Sequence, residues 1–196
     1  MVMPATSGLT PWATRALDEL NACDRWAADL ARGLTAPQLN WRPAPDAWSV
    51  GQCLHHLYVT NEQYLPPIAR ALDGRPAHPV DEIAPGWFAR WFIRNYIAPP
   101  PAGARPATRG KAPGKIAPAS SVDPSVLDQL LRSNETAREL IRRASPCDVN
   151  RIRFANPFVP LIRFTVGSGV EIIWKHQRRH LAQAERLVQS PAFPRA

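Results

Sequence analysis

The chain has 196 residues, 45% of them hydrophobic, which is enough for one domain with a real core. No run of 18 apolar residues occurs, which excludes a membrane-spanning helix. Three Cys (Cys23, Cys53, Cys147) without a C-x-x-C pair exclude a disulfide scaffold and fit a reducing cytoplasm. Met1 to Thr10 lacks a charged segment followed by an apolar one, so no secretory leader is expected, and residues 1–196 are read as a single cytoplasmic domain.

The formal net charge is +8, and much of the excess sits between Arg75 and Lys115: Arg75, Arg90, Arg94, Arg105, Arg109, Lys111 and Lys115 against Asp81 and Glu82. A basic segment can bind phosphate backbones. No nucleic-acid motif accompanies this one, so no specific nucleic-acid partner is expected, and no membrane partner either.

Thr10-Pro11 is a helix cap followed by proline at the first helical position. Ala16, Leu20, Cys23, Ala27, Leu30 and Leu34 then alternate spacings of four and three, which predicts a first helix from Pro11 to Arg32, closed by Gly33. Residues 35–48 hold three Pro and are read as a connection without a long helix. Ser49-Val-Gly-Gln52 is a capping box. It opens a second helix with Val50, Leu54, Leu57, Asn61, Leu65, Ile68 and Leu72 on one face, which Pro66 and Pro67 should kink or shorten before Gly74.

Residues 75–122 hold nine Pro and read as a long irregular crossover. One amphipathic island, Gly86 to Tyr96, carries five aromatics and should pack as a short helix against the bundle. Asp123-Pro124 begins a third helix to Arg143, with Val126, Leu127, Leu130, Leu131, Asn134, Ala137 and Ile141 inward. Residues 146–164 contain Pro157 and Pro160 and are read as loop. A fourth helix, capped by Thr165 or Ser168, runs to about Gln189 with Val166, Val170, Ile173, Gln177, Leu181 and Ala184 on one side. The expected architecture is all-α: a four-helix bundle with a long Pro-rich crossover between the second and third helices.

On the fourth helix, His176 and His180 are one turn apart at the edge of the apolar stripe, while Lys175, Arg178, Arg179 and Arg186 point toward water. Two imidazoles at i and i+4 can reach one divalent ion, given a third ligand from elsewhere. The second helix offers His55 and His56 on opposite flanks of its stripe, and periodicity does not choose between them. His56 shares its flank with Cys53, Thr60 and Tyr64, and His55 shares its flank with Glu62 and Pro66. His78 lies in the crossover and is expected to be exposed.

Asn40-Trp-Arg-Pro-Ala-Pro-Asp-Ala-Trp48-Ser49-Val-Gly-Gln-Cys-Leu-His-His56-Leu57 resembles the entry to the second helix in the DinB-like superfamily. There a metal-ligating His followed by Leu comes eight residues after the Trp. His176-x-x-x-His180-Leu-x-Gln183 resembles that family's last helix. The resemblance covers about Pro11 to Ala71 and Asp123 to Val188. It implies a four-helix bundle with a metal site of His56, His176 and His180, holding nickel, zinc or iron(II). It also implies thiol chemistry, with transfer of a low-molecular-weight thiol to an electrophilic small-molecule substrate, and a homodimer is the expected assembly. A non-catalytic, metal-binding stress-response protein is the alternative.

Gln183 lies one turn beyond His180 and is expected to support His176 or orient a ligand. Cys53, Thr60 and Tyr64 are the other side chains expected around the ligands, Cys53 being equally a small core residue. Trp48 is expected to pack the helix entry. Trp87, Phe88, Trp91 and Phe92 are expected to wall an apolar pocket, and the crossover's Arg residues to meet carboxylates.

Overall fold

The computed structural model describes residues 8–100, 112–159 and 161–195. The basic residues Arg105, Arg109 and Lys111 of the crossover lie outside them. Six α-helices follow in chain order: α1 (Pro11–Ala31), α2 (Ala36–Asn40), α3 (Val50–Ala71), α4 (Trp87–Phe92), α5 (Val126–Ala144) and α6 (Val166–Val188). A π-helical turn, Ile93–Ile97, continues α4, and a single 3-10 turn spans Gly114–Ile116. The four long helices, α1, α3, α5 and α6, form the bundle. Helices α1 and α3 lie diagonally opposite, each packed between α5 and α6.

Sequence signals set the helix ends. The Ser49–Gln52 capping box is closed in both directions, at 3.1 Å each. Gly33 and Gly74, at φ 87° and 64°, take the left-handed position just past α1 and α3. Pro66 and Pro67 do not shorten α3, which runs on to Ala71. Both prolines lie off the buried face, and the carbonyls they leave unbonded, those of Glu62 and Gln63, belong to exposed residues that water can serve.

Residues 35–48 hold no long helix, as expected, but a short one forms there, and a hairpin contradicts the loop reading of residues 146–164. Helix α2 carries its own capping box, Thr35 with Gln38, and Pro37 sits in its first turn, where proline is welcome. Residues 146–164 contain a two-stranded antiparallel hairpin, β1 (Arg153–Ala155) and β2 (Arg163–Thr165), with Phe154 opposite Phe164. Ile-Arg-Phe occurs at 152–154 and again at 162–164, a period-two pattern too short to stand out in the sequence.

The buried apolar residues form two clusters. One joins Trp12, Leu20, Tyr64, Ile68, Ile141 and Val170 to the hairpin's Phe154 and Phe164. The other joins Cys23, Leu54, Leu57, Leu130 and Leu181. Between them runs a polar layer contributed by all four long helices. Asn134 of α5 accepts from Asn61 of α3 at 2.8 Å and from Gln177 of α6 at 2.6 Å. It donates to Asp24 of α1 at 2.5 Å and to Gln177 at 3.0 Å. Arg138 holds the other Asp24 oxygen at 2.6 Å. Such a layer fixes helix register, because a one-turn slip would leave every member unpaired.

A candidate metal centre

Thr165 caps α6, its hydroxyl accepting from the Ser168 amide at 3.2 Å, and this sets where His176 and His180 fall on the helix. The Ser49 cap likewise sets His56 in the second turn of α3. Because α3 packs on α6, the three rings meet between these two helices. His176 Nε2 lies 3.3 Å from His56 Nε2 and 3.1 Å from His180 Nε2.

The remaining ring nitrogens decide what this convergence means. His56 Nδ1 donates to the Ile116 carbonyl at 2.6 Å, and His180 Nδ1 donates to Gln183 Oε1 at 3.1 Å. With their protons on Nδ1, both rings present an Nε2 lone pair to His176. The His176 ring has at most one Nε2 proton to offer, so neutral imidazoles leave at least one lone pair facing another nitrogen. A cation resolves this. At metal–nitrogen distances of about 2.0–2.1 Å, nitrogens on one ion stand about 3.0–3.4 Å apart, which matches the two spacings from His176. The donor set therefore fits a transition-metal ion, and it includes no carboxylate.

All three imidazoles are held neutral. Burial, more than the neighbouring His55, brings His56 down to about 4 against the pull of the Ile116 carbonyl. Burial first, and then the adjacent histidines and Arg179, hold His176 and His180 well below the usual range. His56 and His180 are only 3% and 9% exposed. Trp48 covers them, its ring stacked on His180 at 5.4 Å and tilted against His56 at 4.8 Å.

Helix packing thus separates His56 from His55. The His55 ring is only half-buried and takes the Ala119 amide at 3.3 Å, away from the cluster. Gln183 reaches the site, but it holds His180 rather than His176. Cys53 is fully buried in the second apolar cluster, and its thiol is pushed up to about 12 by burial, so it is a core residue. Thr60 spends its hydroxyl on the His56 carbonyl of its own helix at 2.6 Å. Tyr64 packs on Phe154 and Phe158, at 5.3 and 6.0 Å, in the other cluster. Neither Thr60 nor Tyr64 supports the imidazoles directly. His78 is exposed, as expected.

The aromatic island forms α4, but only its inner half packs: Phe88 and Phe92 lie 6.1 and 5.4 Å from Phe164. Trp87 and Trp91 are 75% and 48% exposed. Arg179 does not point to open water. It is half-buried, donates to the Ala98 carbonyl at 3.1 Å, and is desolvated beside Arg186. The contributions of the Ile116 carbonyl, of Trp48 over the rings and of Arg179 were not read from the sequence. The first two depend on how the crossover and the α3 entry fold back, which no local pattern records.

A family model described as the DinB superfamily matches residues 19–184. Among solved structures, the chain is similar to YfiT from Bacillus subtilis, described as "a probable metal-dependent hydrolase with an unusual four-helix bundle topology". The two share 17% identity, cover 96% of this chain and 92% of that one, and superpose with a TM-score of 0.59. No curated protein matches the chain.

Proposed function

The chain belongs to the DinB superfamily, and we propose that it is a metal-dependent transferase that joins a low-molecular-weight thiol to an electrophilic small molecule. In this reading His56, His176 and His180 are the ligands of one divalent transition metal: nickel, zinc or iron(II). The observation that carries it is the convergence of three neutral Nε2 atoms, two of them oriented by acceptors on Nδ1. An ion bound there would supply open coordination positions at which a thiol is acidified.

The chain's own residues do the rest. The Ile116 carbonyl and Gln183 hold the Nδ1 protons of His56 and His180, which keeps both Nε2 atoms available. Trp48 shields those two rings from water. The nucleophilic sulfur comes from outside the chain: Cys53 and Cys23 are buried with thiols pushed up to about 12, and burial raises Cys147 as well.

Hydrolysis, the activity ascribed to YfiT, is the second reading. Water is a weaker acid than a thiol and is commonly activated with the help of a carboxylate base, and among the described residues no Asp or Glu joins the three histidines. This favours thiol transfer. The test begins with elemental analysis of protein purified without added metal. Loaded protein is then incubated with a panel of cellular thiols and a generic electrophile, with an activated ester lacking thiol as a parallel arm and His176→Ala as control. Thiol consumption above the control supports the transferase, and ester cleavage alone supports the hydrolase. No difference from the control in either arm rejects both for that panel and favours a non-catalytic metal-binding protein.

A further inference from the structure

A groove of about 340 Å³, which none of the three histidines lines, lies between α6 and the helix formed by α4 and its π-helical turn. Pro85, Ile93 and Ala98 give it an apolar floor, and Arg90, Arg94, Glu171 and Lys175 stand around it. The volume is that of a small-molecule site. The π-helical turn Ile93–Ile97 is the C-terminal end of this helix, where such turns are common. Here the Ala98 amide bonds the Ile93 carbonyl at 2.7 Å to close the turn, placing Arg94 on the groove and the Ala98 carbonyl at its edge.

The charges around this groove do not balance. Lys175 is paired with Glu171 at 2.9 Å. Arg90 donates to the Pro85 carbonyl at 2.6 Å and has no acidic partner. Arg94 has neither a hydrogen-bond nor an ion-pair partner among the described residues. Arg179 bonds only the Ala98 carbonyl, at the groove's edge. No Asp or Glu occurs in residues 1–7, 101–111, 160 or 196, so the undescribed residues bring no carboxylate side chain to these guanidinium groups. Four cations thus stand near one carboxylate; Arg90 and Arg94 reach solvent, Arg179 is half-buried and partly desolvated, and such a one-signed cluster at the rim of a groove attracts an anion.

We propose that this groove binds the anionic group, a carboxylate or a phosphate, of a small molecule, with Arg94 and Arg179 as its principal contacts. Arg179 ties the groove to the histidines. On the α6 surface it is the i+3 neighbour of His176 and the i+4 neighbour of Lys175. A molecule anchored here by its anionic end would extend along α6 toward the three imidazoles, which makes the groove a specificity site for anionic substrates. That last role rests on the metal-dependent reading above, whereas the anion binding does not.

The two are separated by testing the metal-free protein. Inorganic phosphate binding is followed by 31P NMR and acetate binding by calorimetry, at physiological ionic strength, with circular dichroism to verify each variant's fold. Saturable binding of at least one anion is expected, weakened about tenfold by Arg94→Met and by Arg179→Met, which is the loss expected for one charge-assisted contact. Arg94→Lys should restore part of the loss, and His176→Ala should leave binding intact. Which anion binds more tightly identifies the group. The proposal is overturned if neither anion saturates, if folded Arg94→Met binds as tightly as wild type, or if His176→Ala alone abolishes binding.

Discussion

Asn134→Leu is the substitution that most directly tests the polar layer. Asn134 is fully buried and Gln177 is 1% exposed. Both side-chain hydrogen bonds of Gln177 go to Asn134. Leucine fills a similar volume but takes away both partners, so the Gln177 carbonyl and amide are left buried and unpaired. Each such group costs about 1–3 kcal/mol, and the lost charge-assisted bond to Asp24 adds about 1.5–3 kcal/mol. Asn61 keeps Ser133 at 3.0 Å and Asp24 keeps Arg138 at 2.6 Å, so those groups add little. A destabilisation of at least about 4 kcal/mol is expected, a large share of the about 5–15 kcal/mol typical of a domain. Urea unfolding followed by circular dichroism measures it. Replacing both partners by apolar groups is nearly neutral, so Asn134→Leu/Gln177→Leu should recover much of the loss. A single variant within about 1 kcal/mol of wild type, or a double variant as unstable as the sum of its singles, would refute the account.

Alanine at His56, His176 or His180 should sharply reduce bound metal measured by mass spectrometry while leaving helicity largely unchanged; equal loss from His55→Ala would overturn the ligand assignment. In the metal-free protein, His56 takes up its proton near pH 4 when folded but near 6.5 when unfolded, so its stabilisation is complete above about pH 6.5 and declines as pH falls toward 4. His176 and His180 shift the same way, so the urea midpoint should drop steeply from pH 7 to 5, and less steeply in His56→Gln; a flat profile would contradict the burial of the three rings. Gly169→Ala raises helix propensity, yet its Cβ would come within 2.8 Å of the Phe154 ring and 2.9 Å of Ile68. Overpacking of about 1–3 kcal/mol should outweigh the about 1 kcal/mol gained, and a raised thermal midpoint would show that the hairpin yields.

Four amphipathic periods, the Ser49–Gln52 box, proline in the first turn of α1 and glycines after α1 and α3 made the bundle legible. These are signals within one or two helical turns, where backbone sterics and local hydrogen bonds dictate geometry whatever the rest of the chain does. The pairing of His176 with His180 was legible for the same reason, since helical rise alone puts them one turn apart. The short elements were harder to see. Thr35–Gln38 is a complete capping box set among prolines, and the two Ile-Arg-Phe segments become strands only by pairing with each other.

Other features were decided by tertiary packing. His56 and His55 sit on opposite flanks of one helix, and periodicity weighs them equally. The neighbour α6, together with the Ile116 carbonyl and Trp48, buries one of the two and leaves the other half-exposed. The prolines of α3 read as breakers, yet they survive because their unbonded carbonyls belong to solvent-exposed residues. Arg179 read as a solvated charge until the crossover folded over it. In each case the sequence fixes what a side chain can do within its own helix. Its burial and partners depend on segments tens of residues away, brought close by apolar surface that every helix buries at once.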